Sequence, residues 1–254
     1  MTPETLRRYL EFYQDLGIKS VYRRTPATSE AVAPVAAEAA AVAPPLPAPP
    51  LPEPPMQLPP LAPEGETLLN IIQDIGDCRR CRLHEGRQKI VFGVGNERSP
   101  LVFVGEGPGA DEDEQGIPFV GRAGQLLTQM IEGTAKKEGI PLTRDEIYIC
   151  NVVKCRPPGN RTPEPDEMEI CGEFLYRQLS TIKPKAICAL GGTAARAVTG
   201  HKEGVTKMRG KWFKWRDIPV MVTYHPSYLL RPYNQDAKRE AWEDLKKVLH
   251  FVYD

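Results

Sequence analysis

Half of the 26 prolines in this 254-residue chain lie between Pro26 and Pro63, and nothing else limits the fold as strongly. Around them stand mostly Ala, Val, Leu and Glu, with no aromatic residue. Such a run cannot bury enough apolar surface to offset the entropy of ordering it. The prolines also break any helix its alanines would form. The pattern predicts a semi-rigid, partly polyproline-II linker over residues 26–65. That leaves a short segment before it, 1–25, and about 190 residues after it, 66–254, which suit one domain.

Residues 1–25 read as an amphipathic helix. Thr2 can cap it, Pro3 suits its first position, and Leu6, Tyr9, Leu10, Tyr13 and Leu16 form one apolar stripe before Gly17. A helix this short is marginal alone, so it is expected either to dock on the main domain or to bind a protein partner. No apolar run approaches the ~20 residues of a membrane span, and no signal peptide is visible. The expected location is cytoplasmic, where cysteines serve more often as metal ligands or free thiols than as disulfides. The formal charge is zero, so any nucleic-acid binding must rely on a local patch.

In the main domain, short apolar runs alternate with helical patterns. Leu101–Val104, Ile147–Val153, Ala186–Leu190 and Val220–Thr223 read as strands. Thr67–Ile75, Gly124–Lys137, Pro163–Ile182, a short piece from Thr193, and Asp236–Phe251 read as helices, with Trp242, Leu245 and Leu249 inward on the last. Continuous apolar strands between helices imply a parallel sheet covered on both faces. The expected fold is α/β, a three-layer αβα sandwich around a short, mainly four-stranded parallel sheet. Ligands of such sheets bind beyond the carboxyl ends of the strands, where the chain's three most unusual turns fall.

Cys78-Arg-Arg-Cys81 is a tight pair, and Cys155 and Cys171 complete a quartet. Four thiolates can hold zinc or an iron–sulfur cluster. Zinc ribbons usually supply two close pairs, so the wide second spacing favours a cluster, with zinc and unrelated core thiols as alternatives. Cys150 and Cys188 lie in apolar strands and read as buried hydrophobes. Arg79, Arg80, Arg82, Arg156 and Arg161 flank the quartet and could face DNA phosphates, or form a plain solvated rim.

The turn Gly105-Glu106-Gly107-Pro108-Gly109 follows the first strand. Its glycines let backbone amides approach a ligand, but no Gly-Lys-Ser/Thr follows, and Asp111-Glu-Asp-Glu114 would repel a phosphate. A neutral flat ligand fits better, although a plain turn with a solvated acidic run remains open. Phe119, within Pro118-Phe-Val-Gly-Arg-Ala-Gly124, either stacks on a base or belongs to the core. After the last strand, His225-Pro-Ser-Tyr-Leu229-Leu230-Arg231 offers a histidine beside a rigid turn. Its two leucines and arginine suit a wedge into a duplex, or else begin a buried helix. Lys207, Arg209, Lys211, Lys214 and Arg216, interleaved with Trp212, Phe213 and Trp215, form the densest basic–aromatic stretch. Packing is expected for the aromatics and DNA contact for some lysines.

Taken together, Cys78-x-x-Cys81, GEGPG from Gly105, PFVGRAG from Pro118, NVVKCRPP from Asn151, Cys171 and HPSYLLR from His225 resemble the family 4 uracil-DNA glycosylases, the iron–sulfur type of bacteria and archaea. The motifs run in the expected order over most of 66–254. The resemblance implies a uracil-DNA glycosylase-like fold and a 4Fe–4S cluster on Cys78, Cys81, Cys155 and Cys171. It implies a monofunctional enzyme, expected to act as a monomer, whose partner is uracil-containing DNA, single- or double-stranded. By the same resemblance Asn151 reads the uracil edge, Phe119 stacks on the flipped base, and the amide of Gly107 helps hold the uracil carbonyl, with Gly105 beside it in the substrate-binding turn. His225 stabilises charge on uracil O2 and Glu106 the sugar cation or a water, while Leu229, Leu230 and Arg231 are expected from their own pattern to enter the DNA. Better-known relatives carry an aspartate where Gly107 stands, which leaves the water-activating base open. A non-catalytic iron–sulfur DNA-binding module and a zinc-stabilised nucleobase hydrolase are the competing readings.

Overall fold

The computed structural model describes residues 62–254 other than Pro232. The helix expected over 1–25, and the linker over 26–65 up to residue 61, lie outside the described residues. Helix α1 (Leu68–Ile75) starts where the Thr67 hydroxyl accepts a hydrogen bond from Asn70 N–H at 3.2 Å, an N-cap. Beyond the Cys78–Cys81 pair come β1 (Val94–Gly95), β2 (Leu101–Gly105), α2 (Ala110–Gln115), α3 (Arg122–Glu138) and β3 (Tyr148–Asn151). Then follow α4 (Pro165–Ile182), β4 (Ala186–Leu190), α5 (Gly192–Thr199), α6 (Val205–Met208), β5 (Trp212–Trp215), β6 (Ile218–Thr223), α7 (Pro226–Leu229) and α8 (Gln235–Tyr253).

The strands form one sheet in the order β1-β3-β2-β4-β6-β5. The four expected strands, β3, β2, β4 and β6, are its parallel centre, while β1 and β5 add antiparallel edges. The edges escaped the sequence pattern because β1 is two exposed residues and β5 is buried only at Trp215. Neither carries the continuous apolar run of a doubly covered strand. Along β2, side chains alternate. Leu101 and Phe103 join Leu127 and Ile131 of α3 and Leu245 and Leu249 of α8. Val102 and Val104 join Ile71 of α1, Leu175 of α4 and Ala195 of α5. Helices on both faces make the expected αβα sandwich, and each of the buried Val, Leu, Ile and Phe side chains among these contributes ~1.5–3 kcal/mol. Among the described residues no helix is long and apolar enough to cross a membrane.

Two local departures matter for the site. Strand pairing stops at Asn151 rather than Val153, but the chain stays tied. Val152 N–H donates to Gly105 O at 2.9 Å and Val153 N–H to Glu106 O at 3.2 Å. On α8, Trp242 is only half-buried, under Lys137 Nζ at 4.1 Å from the ring centre. Fully buried Asp244 lies on the inward face alongside Leu245 and Leu249, accepting from Thr223 Oγ1 at 2.8 Å and Arg209 Nε at 3.0 Å. Arg209 of the basic stretch therefore closes an ion pair inside the fold instead of facing phosphates, leaving Lys207, Lys211 and Lys214 exposed.

Candidate active site

Parallel pairing brings the carboxyl ends of the central strands level, with Gly105 opposite Asn151 and Leu190 opposite Thr223. The turns that leave these ends enclose a cleft of about 450 Å³. That volume lies within the ~300–1,000 Å³ of small-molecule sites. Glu106, Gly107, Phe119, Asn151 and His225, widely separated in sequence, all line it.

Asn151 is 1% exposed, and its Oδ1 has no hydrogen-bond partner among the described residues. Such an orphan costs about 1–3 kcal/mol in a folded protein, so a group in that state at a cleft wall points to an absent donor. Gly105 makes room for it. A Cβ there would lie 2.4 Å from Asn151 Oδ1 and 2.5 Å from Phe119 Cζ. Any larger residue at Gly105 would displace both side chains that a flat ligand would meet.

Phe119 holds a left-handed backbone, φ 55°, rare for an aromatic residue. Its ring is 6% exposed and lies 5.7 Å from the His225 ring. Glu112 holds this loop in place. Its carboxylate accepts from Gly109 N–H at 3.0 Å and from Val120 and Gly121 N–H at 2.9 Å, joining the glycine turn to the Phe119 loop. Asp113 is buried and accepts from Gln88 N–H at 2.9 Å. The acidic run is therefore not a solvated face: two of its four carboxylates fasten backbone.

His225 caps α7. Its Nδ1 accepts from Ser227 N–H at 3.2 Å and lies 2.7 Å from Ser227 Oγ. An accepting Nδ1 leaves the proton of the neutral ring on Nε2. Burial pushes the His225 pKa down from 6.5 to about 4, against a weaker opposing pull from Glu112. At neutral pH the cleft thus contains an uncharged imidazole donor. Glu106 is half-buried, and its Oε2 accepts from the Thr193 hydroxyl.

The wedge expected at the histidine turn is smaller than the sequence suggested. Leu229 is fully buried among Tyr224, Ala237 and Ala241, because α7 turns it onto α8. Leu230 is half-buried, and Arg231 is exposed with its guanidinium 5.7 Å from the Tyr228 ring centre. The arginine rim changes too. Arg79 pairs with Asp77 at 3.0 Å, Arg80 with Asp74 at 2.8 Å, Arg82 with Asp166, and Arg161 with Glu167 at 2.6 Å. Each of these four arginines has a carboxylate partner, yet Arg79, Arg80 and Arg82 keep their side chains exposed. Arg122, at the start of α3, is exposed and lines the cleft.

Cys78, Cys81, Cys155 and Cys171 come together around one small cavity, walled also by Ile75 and Phe174. Arg87 donates to Cys155 Sγ at 3.5 Å and Lys154 N–H to Cys171 Sγ at 3.3 Å. Burial raises the pKa of Cys81 and Cys155 and pushes Cys171 up to about 12. Thiolates there need a cationic core to offset the cost of burial. Among the described residues no three His, Cys, Asp or Glu side chains close on a single ion position. Four thiols on one cavity are a donor set that fits a zinc ion or an iron–sulfur cluster. Lys154, between this cavity and Asn151, is wholly buried. Its Nζ donates to Asn151 O at 2.7 Å and Gln178 Oε1 at 2.6 Å, and burial lowers its pKa. A lysine in sequence reads as surface, and nothing in the pattern marked this one.

The family model described as the uracil DNA glycosylase superfamily matches residues 92–246. The type-4 uracil-DNA glycosylase of Thermotoga maritima is 46% identical over 190 residues, covering 74% of this chain and 96% of that protein. The Archaeoglobus fulgidus type-4 enzyme is 42% identical over 72% of this chain and 92% of its own length. That of Sulfurisphaera tokodaii is 41% identical over 72% and 84%. With the sandwich and the cleft at its strand ends, these matches place the chain in the uracil-DNA glycosylase superfamily, among its type-4 members.

Proposed function

We propose that the domain excises uracil from DNA as a repair glycosylase, hydrolysing the N-glycosidic bond to leave free uracil and an abasic site. The observation that carries this reading is the buried, unpartnered Asn151 Oδ1 at the wall of the cleft. Uracil presents an N3–H donor beside an O4 acceptor. Oδ1 would accept the first while Nδ2 donates to the second, and cytosine reverses both. A base inside a duplex cannot reach such a wall, so the nucleotide must be flipped out. Phe119 would stack on it, a contact worth ~1–3 kcal/mol.

As the C1′–N1 bond breaks, its electron pair goes to the base and positive charge grows on the sugar. The neutral His225 Nε2–H would donate to uracil O2 without first losing a proton, and the Gly107 amide would hold a carbonyl. Donors fixed in advance at a developing anion lower the barrier. Glu106 would face the sugar cation or hold the water whose oxygen joins C1′. Leu230, Arg231, Arg122 and the exposed lysines would meet the DNA outside the cleft. The four cysteines would hold a 4Fe–4S cluster whose contribution is structural, tying α1, the segment after β3 and α4 together.

The test is a labelled oligonucleotide carrying one uracil, incubated with cluster-loaded protein and then treated with alkali. Scission at the uracil, absent from a thymine control, is expected. No scission from protein with full cluster absorbance would overturn the reading in favour of a non-catalytic DNA-binding module.

A further inference from the structure

We propose that Thr193 is a positioning residue for uracil excision, acting through the Glu106 carboxylate from the turn that follows β4. This rests on the glycosylase reading above. Nothing in the sequence motifs points to this turn: Gly191-Gly192 reads as a plain strand end and Thr193 as the start of a small helix.

Three observations carry the inference. The first is where the hydroxyl goes. Threonines inside helices commonly bond back to their own helix, and three here do so, Thr128 to Gly124 O at 3.2 Å, Thr134 to Met130 O at 2.6 Å and Thr199 to Ala195 O at 2.7 Å. Thr193, in the first turn of α5, has no such carbonyl below it. It donates across the fold to Glu106 Oε2 instead, 87 residues away in sequence.

The second is that Glu106 needs this restraint. It stands between two glycines, Gly105 and Gly107, where the backbone is least constrained, and its side chain has several rotatable bonds. Among the described residues no other donor reaches the Glu106 carboxylate. Thr193 holds one oxygen and leaves the other to the cleft, which Glu106 lines and Thr193 does not.

The third is that the turn itself is firmly held. Gly191 has φ 91°, which L side chains rarely adopt, and its N–H donates to Thr223 O at 2.9 Å. A Cβ on Gly191 would lie 3.0 Å from His225 Cβ. One turn therefore packs against His225 and, two residues on, grips Glu106. It fixes the two charge-stabilising groups relative to each other.

The experiment is a double-mutant cycle on the holoenzyme, with single-turnover uracil release and affinity for abasic-site DNA measured for wild type, Thr193→Val, Thr193→Ser, Glu106→Gln and Glu106→Gln/Thr193→Val. Valine keeps the shape and removes the donor. A misplaced reacting group costs up to ~100-fold, so Thr193→Val is expected to slow release by roughly 10- to 100-fold with abasic-DNA affinity unchanged. Thr193→Ser should recover to within about threefold, and valine should have a clearly smaller effect once Glu106 is Gln, whose amide oxygen still accepts from Thr193 but carries no charge to position. Wild-type rates for Thr193→Val would overturn the proposal. So would an equal loss in both backgrounds, a serine variant as slow as valine, or Glu106→Gln at full rate. Absence of uracil release by wild type is a separate result, and would remove the glycosylase reading itself.

Discussion

Replacing Asn151 with Ala should cripple activity while leaving stability unchanged or slightly raised. Asn151 Oδ1 has no hydrogen-bond partner among the described residues, so its loss breaks no bond of the fold. The alanine variant removes that orphan. The space opens onto the cleft and fills with water, so the usual cavity penalty is small. Stability should hold or rise, by up to a few degrees in Tm for a domain of this size. With substrate bound, the same change removes two hydrogen bonds inside a closed pocket. At about 1.5–2 kcal/mol each, the loss is roughly 3–4 kcal/mol, or about 10²- to 10³-fold in kcat/KM. Thermal melts and steady-state kinetics on one uracil oligonucleotide measure both. An inactive variant that is also destabilised by several kcal/mol would refute the reasoning, because Asn151 would then be part of the scaffold.

His225 is a base whose folded pKa is lowered from 6.5 to about 4, so between those values only the unfolded chain takes up the extra proton. Stability should therefore fall as pH drops through that window, by at most about 3 kcal/mol, and His225→Gln should flatten the dependence in urea melts. By the same shift, kcat/KM should not decline as pH falls from 7 to 5, as it would for a histidine of ordinary pKa that must stay neutral. Leu229→Ala should cost ~2–5 kcal/mol of stability in urea melts, as a large-to-small change in the core. Leu230→Ala should leave the fold intact and weaken release from duplex more than from single strands. Cys171→Ala should abolish visible absorbance and lower Tm, while Cys188→Ala, in the other face of the sheet, should keep the colour.

What could be read from the sequence was the part written in local order. Apolar runs between turn residues gave the four parallel strands, and their carboxyl ends located the cleft. Glu106 and His225 could be picked out because each follows a strand beside glycine or proline, and Phe119 because it stands between a proline and a glycine turn, whereas the role of Asn151, the last residue of β3, came from the resemblance. What could not be read depends on which distant groups meet. Glu112 looks like one more solvated carboxylate until the Phe119 loop folds back onto it. Arg209 and Asp244 look like surface charges until the fold buries Asp244, which accepts from both Arg209 and Thr223 at the end of β6. Leu229 and Leu230 are adjacent in sequence, and only the direction of α7 decides that the first is core and the second faces outward. Lys154 is hidden for the same reason. Its acceptors are a strand-end carbonyl and a glutamine on α4.

The most direct measurement is a crystal structure of the cluster-loaded protein with DNA carrying a non-hydrolysable 2′-fluoro-deoxyuridine. The uracil should lie flipped into the cleft over Phe119, with N3 at hydrogen-bonding distance from Asn151 Oδ1 and O2 facing His225 Nε2. A uracil left stacked in the duplex, or bound with Asn151 Oδ1 still unpartnered, would contradict the assignment of this cleft as the uracil site.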